Sequence, residues 1–178
     1  MDSRPEERPL DFWSFIDLAH AQLVDNPAAA DVAATELLLT LNRASSLITY
    51  DLESGIHRPE GRSWAAFRIM YVLWLAGKME PHRLAEVAGM SRAAVSNLSK
   101  PLCEQGILVR EAHPGDGRAV LLSLSEKGEC AARAAYQAQN LREAQWVSAL
   151  DEEERETLVR LLGKLVDGRV DIQPQTRN

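Results

Sequence analysis

The chain has 178 residues, 46% hydrophobic and 26% charged, with a formal net charge of −6 at pH 7. This length suits one core-forming domain with extensions, and the acidic balance excludes a uniformly basic nucleic-acid coat. Cys103 and Cys130 lack metal-ligand spacing and read as reduced thiols of a cytoplasmic protein, and no apolar run is long enough for a membrane span or a secretory leader.

Residues 1–9, MDSRPEERP, are charged and proline-rich and read as a flexible N-terminus. Helical spacing of Phe12, Trp13, Phe15, Ile16, Ala19, Leu23 and Val24 predicts a helix over Leu10–Val24 with a wide apolar face, ended by Asn26-Pro27. A longer helix follows over about Ala29–Ser54, with Val32, Leu37, Leu38, Leu41, Leu47, Ile48 and Leu52 inward and Gly55 as its stop; Pro59 and Gly61 then form a loop. Ser63 caps the next helix, SWAAFRIMYVLWLAG, which is apolar on nearly every side except at Arg68 and is therefore expected to be buried until Gly77 ends it.

Pro81–Gly106, PHRLAEVAGMSRAAVSNLSKPLCEQG, reads as two short helices around a glycine turn. The first, Pro81–Ala88, turns Leu84, Ala85, Val87 and Ala88 inward, and Gly89 supplies the positive φ of the turn. Ser91 is placed to cap the second, which buries Ala94, Val95, Leu98 and Leu102 and presents Arg92, Ala93, Ser96, Asn97 and Lys100 on the opposite face. This is helix-turn-helix geometry, with an ordinary helical hairpin as the alternative. Ile107–Arg110 and Ala119–Leu124 have strand composition and flank HPGDG, so a β-hairpin, a wing, follows the second helix.

A helix over Glu126–Ser148 contributes Tyr136, Leu141, Trp146 and Val147, with Leu150 just beyond its end, and acids at 151–154 open a last helix, Glu152–Asp167, with Leu158, Val159, Leu161, Leu162, Leu165 and Val166. This is more apolar surface than two terminal helices need for each other. A helical homodimer interface is expected, with an intrachain bundle as the alternative. Residues 169–178 read as a flexible tail.

The charge is unevenly spread: residues 81–120 hold a balance of +1 and the remainder carries −7. Local charge governs phosphate contact, so double-stranded DNA remains an admissible partner. Asn97 offers an amide to adenine, Arg92 reaches guanine or phosphate, Ser91 and Ser96 suit either, and Lys100 suits phosphate. Arg62 and Ser63, at a helix start, are further candidates for phosphate. The histidines (His20, His57, His82, His113) are scattered and no phosphate loop or nucleophile elbow is present, so neither an enzyme nor a metal or other cofactor is expected. A winged helix serving only protein contacts is the alternative to a DNA reader, and the polar face of residues 92–100 argues against it.

The order of elements, with SRAAVSNLSKPLCEQGIL followed by PGDGRAVLLSLSEKG, resembles the MarR family of bacterial transcription regulators over about Ala29–Asp167; Asp116-Gly117-Arg118 matches the family's wing signature. The resemblance implies a mostly α fold with a small β-wing. It places a winged helix-turn-helix at 63–125 and dimerisation helices at 10–62 and 126–168. It further implies a ligand-responsive homodimeric repressor on a pseudo-palindromic operator, with recognition helix 91–105 in the major groove and wing 111–119 in the minor groove. Arg118 would enter that groove, with Asp116 holding it or the loop.

MarR-like proteins commonly bind a small phenolic or aromatic anion between dimerisation helices and winged lobe. Trp13, Tyr50, His57, Trp64 and Arg68, with Tyr71 and Trp74, fall on segments expected to approach such a crevice. The alternative is core packing, with Arg68 paired to Asp51 or Glu53. The extra helix with Trp13 looks similar to that of the urate-responsive branch. Oxidant sensing through Cys103 and Cys130 is another alternative, against which both read as small packing residues.

Overall fold

The computed structural model describes residues 10–26, 28 and 30–168, and only the main chain of His113, Asp116, Gly117 and Arg118. The expected flexible ends, 1–9 and 169–178, lie outside the described residues. By internal contacts the chain divides into Met1–Tyr50 and Asp51–Asn178, a division that falls inside one helix and groups the C-terminal helices with the winged lobe.

In the first unit, helix α1 spans Phe12–Leu23 and opens on a reciprocal cap between Asp11 and Ser14. Helix α2 spans Val32–Leu52, and Asp31 Oδ1 accepts from the Ala34 N–H at 2.9 Å. Arg43 on α2 lies 5.0 Å from the centroids of both Phe12 and Phe15 and donates to the Asp11 carbonyl at 3.3 Å. A cation between two aromatic faces fastens one helix to the other. Ile16 is the only buried α1 residue, and Trp13 is 64% exposed. The expected inward set of α2 is corrected: only Leu52 is buried, while Leu37, Leu38 and Leu47 are exposed. Their spacing marks an apolar face left open among the described residues.

In the second unit, α2 does not stop at Gly55 but continues as a π-helical turn, Glu53–His57, with the Arg58 N–H bonded to the Glu53 carbonyl at 2.8 Å. The Glu53 carboxylate accepts from the Trp64 N–H at 3.1 Å and from Arg58 Nε at 3.0 Å. His57, 1% exposed, stacks on Phe67 at 4.4 Å and places Nε2 3.0 Å from Gln139 Oε1. These contacts override the weak local preference of a glycine.

Helix α3, Trp64–Ala76, forms the floor of the lobe: Phe67, Ile69 and Met70 are fully buried, each stabilising by about 1.5–3 kcal/mol. Helices α4 (Pro81–Ala88) and α5 (Arg92–Glu104) pack on it through Leu84, Ala85, Val95 and Leu102. Val87, expected inward, is 48% exposed; with Leu84, Ala85 and Ala88 filling the buried stripe, it falls on the opposite side.

Strands β1 (Leu108–His113) and β2 (Asp116–Leu124) pair antiparallel, Leu108 opposite Leu124, with an irregularity between Ala112 and His113. Both are longer than composition predicted because the ladder runs close to the turn. Met79 adds one more rung: its N–H donates to the Leu122 carbonyl at 3.1 Å and its carbonyl accepts from the Leu122 N–H at 2.9 Å.

Helix α6 spans Glu126–Trp146 and ends in a 3-10 turn, Val147–Ala149, two residues before the expected boundary. It packs on α3 through Tyr136, stacked on Tyr71 at 5.7 Å and tilted against Trp74 at 5.4 Å. Gly128 is needed at its start, because a Cβ there would collide with the Ile107 carbonyl oxygen. Near its other end, Arg142 grips Asp51 with two bonds of 2.7 Å and Trp146 Nε1 adds a third at 2.8 Å. Those bonds, Arg142 first, hold the Asp51 carboxyl down at about 2. Helix α7, Glu152–Asp167, starts on a reciprocal Asp151/Glu154 cap and has no buried residue.

Candidate nucleic-acid interface

The α4–α5 turn fixes where the polar face of α5 begins. Gly89 adopts φ 61° and ψ 41°; its N–H donates to the Glu86 carbonyl and the Met90 N–H to the Ala85 carbonyl at 2.8 Å, a Schellman closure. Two residues on, Ser91 Oγ accepts from the Ala94 N–H at 3.1 Å and starts α5. Arg92, Ala93, Ser96, Asn97 and Lys100 are all exposed on α5, whereas Val95, Ser99 and Leu102 are buried. Ser99 keeps its hydroxyl satisfied by donating to the Val95 carbonyl at 2.6 Å. Pro101 lies inside α5 and removes the N–H that would otherwise bond the Asn97 carbonyl. At the far end Lys127 Nζ donates to the Gln105 carbonyl at 2.8 Å, a cation at a helix C-terminus.

The charges beside this face are partly committed. Arg83 pairs with Glu86 at 2.9 Å, and that bond first, with the fields of Arg83, His82 and Arg92 adding to it, lowers the Glu86 carboxyl below its ordinary range. Among the described residues Arg92 and Lys100 have no ion-pair partner, so two cations, an amide and two hydroxyls, those of Ser91 and Ser96, lie along one helix surface. Asp116 and Arg118 are at the turn end of β2; their side chains lie outside what is described.

Ser63 is engaged as the α3 cap, its Oγ accepting from the Ala66 N–H at 3.1 Å. The Arg62 side chain is only 13% exposed and reaches Glu60 at 3.4 Å. Of the aromatic candidates, Trp13 and Tyr50 are exposed in the first unit. In the second, His57 and Trp64 have their ring centroids 5.6 Å apart and both meet Phe67. Burial is the leading cause holding the His57 imidazole below its usual pKa, and its Nδ1 is buried without a partner among the described residues. The Arg68 guanidinium donates to the Ala88 carbonyl at the end of α4. It pairs with neither Asp51 nor Glu53, which bond Arg142 and Arg58 instead. Spacing along α3 identified Arg68 as an odd charge but carries no signal for a contact 20 residues away.

Both cysteines are free thiols. Cys103 is half-buried and burial pushes its thiol up. Cys130, expected to pack, is exposed, because the contacts of α6 with the lobe run through Gly128, Ala132 and Ala135. Among the described residues no group of three histidine, cysteine or acidic side chains could hold a metal, and no helix is long and apolar enough to cross a membrane.

A helix-turn-helix with a β-hairpin directly behind its second helix defines the winged-helix class. Residues 63–120 match the MarR family. The uncharacterised HTH-type transcriptional regulator YwaE of Bacillus subtilis is 27% identical over 137 residues, 77% of this chain and 80% of that protein. The fold is similar to that of a mutant MarR from E. coli in complex with operator DNA (TM-score 0.64, 23% identity, covering 70% of this chain and 89% of that one). It is also similar to Bordetella bronchiseptica BpsR, described with regulation of its DNA binding by 6-hydroxynicotinic acid (TM-score 0.65, 21% identity, 71% and 95% covered). The chain is similar to MarR-family transcription regulators, and the family match itself spans residues 63–120.

Proposed function

We propose that the protein is a cytoplasmic homodimeric repressor, not an enzyme, which binds a pseudo-palindromic operator and is released by a small aromatic anion. The observation that carries the reading is the α5 surface: Arg92, Ala93, Ser96, Asn97 and Lys100 exposed together, with neither cation committed to an acid among the described residues. Inserted in a major groove, α5 gives Arg92, Ser96 and Asn97 access to base edges and Lys100 to phosphate. Residues 111–119 then follow the backbone toward the minor groove, where Arg118 is the residue suited to a narrow, electronegative channel. Residues 10–62 and 126–168 form the dimerisation region: the exposed Leu37, Leu38 and Leu47 of α2 and Leu158, Leu161 and Leu165 of α7 are apolar rows that a second copy would cover. The similar structures of a MarR mutant bound to operator DNA and of BpsR, whose DNA binding is regulated by 6-hydroxynicotinic acid, support DNA binding and an aromatic-acid response as the reading for this chain. His57 and Trp64, which meet over Phe67, are the aromatic groups of the second unit that we assign to the effector.

A footprint on the DNA flanking the gene, repeated with a panel of aromatic carboxylates, tests this. Two protected half-sites about 34 Å apart, one helical turn, are expected, with protection lost on adding an active acid. Protection of a single unpaired site would refute the dimer, and absence of any protected sequence would refute the operator reading.

A further inference from the structure

One charged residue lies inside the apolar helix α3, and it faces the reading head. Of the carbonyls that α4 leaves open at its C-terminus, Ala85 and Glu86 are satisfied by the Schellman closure. Ala88 is 4% exposed, so water cannot serve its carbonyl well, and the Arg68 guanidinium donates to it. A cation there also complements the negative end of the helix. The contact is tightly built: a Cβ on Gly89 would lie 3.1 Å from Arg68 Nη2, so the left-handed glycine also leaves the guanidinium its room.

We propose that Arg68 is the positioning residue of the recognition helix, tying the α4–α5 turn to α3 through the Ala88 carbonyl and so setting where Ser91 starts α5. The inference rests on α5 being the DNA reader. It takes Arg68 out of the effector set and gives it to specificity. Ala88, Gly89, Met90 and Ser91 are consecutive, and the side-chain anchor at the start of α5 is the Ser91 cap; a turn released from α3 lets the whole polar face rotate or slide. Base contacts depend on sub-ångström placement, whereas phosphate contacts by flexible Arg and Lys side chains do not.

The test uses the full-length protein, a duplex it selects from a randomised pool, and a random-sequence duplex of equal length. Arg68→Met keeps the apolar stem and removes the donors; Arg68→Lys restores a cation. Loss of a charged hydrogen bond to a buried carbonyl corresponds to roughly 10- to 100-fold weaker binding of the selected duplex. Random-sequence binding should change less than about twofold, with Arg68→Lys intermediate. Amide hydrogen exchange at Gly89 and Met90 should be faster in Arg68→Met, and in Arg68→Lys should the Met variant not fold. Equal loss on both duplexes, or unchanged exchange at the turn, overturns the proposal. If the wild-type protein selects no sequence, the DNA-reading assignment fails, while faster exchange in the variant still upholds the tie between α3 and the turn and unchanged exchange refutes it.

Discussion

Asn97→Ala separates reading from folding. Asn97 is exposed in the middle of α5, its side chain makes no hydrogen bond among the described residues, and its carbonyl is freed by Pro101. Alanine is the better helix former by up to about 0.7 kcal/mol, so the melting temperature should hold or rise slightly. On the operator the change removes an amide able to bond adenine, worth about 1–3 kcal/mol of base discrimination. A two-fold dimer carries the residue twice, giving about 2–6 kcal/mol, at least roughly 30-fold in affinity. The assay is a mobility-shift titration at fixed salt on the selected operator and on random-sequence DNA, beside a thermal melt. Operator binding should fall by that factor with random binding unchanged. Equal loss on both, or a melt lowered by several degrees, would refute the assignment of Asn97 as a base reader.

Acid should weaken the protein through His57. Its pKa is lowered on folding by burial, so as pH falls below about 6.5 the unfolded chain takes up a proton that the folded one refuses, and stability drops by at most about 1.4 kcal/mol per pH unit until the folded pKa is passed. Melts at pH 7.5 and 5.5 should show this fall in the wild type and a smaller one in His57→Gln; equal slopes would exclude His57 as the cause. Leu161→Lys with Leu165→Lys should yield a folded monomer by light scattering, since α7 has no buried residue of its own to lose, and a dimer of unchanged mass would place the interface elsewhere. A thiol reagent should label exposed Cys130 promptly and half-buried Cys103 slowly, and a Cys130→Ser variant that still labels at the fast rate would reverse that order.

Much of the helix-turn-helix was legible because its elements are specified locally. The Ser91 and Ser63 caps and the left-handed Gly89 are each written within four residues and appear where the sequence placed them; of the α5 stripe, Val95 and Leu102 are buried, Ala94 and Leu98 are half-buried, and Ser99 takes a buried position that apolar spacing did not assign. What failed was set at a distance. Gly55 signals a stop, yet Glu53 reaches Trp64 and His57 reaches Gln139, and the chain coils on through it. Val87 and Cys130 are small or apolar, which says nothing about which side of a crowded helix is left for them. Leu37, Leu38 and Leu47 were correctly read as a stripe, but a stripe names a buried face without saying whose chain buries it. The candidate DNA face was therefore visible early, while Arg68 could be assigned only once α3 and α4 were packed together.

The double rung between Met79 and Leu122 has a mechanical result. It joins the strand that leads to the wing tip to Met79, two residues before α4, with a hydrogen bond in each direction. Pulling on the wing therefore strains the entry to the helix-turn-helix instead of bending a free arm. If the lobe binds DNA as proposed, its wing and helix-turn-helix would meet the duplex as one stiff piece, so that tolerance for variant DNA would have to come from the duplex deforming.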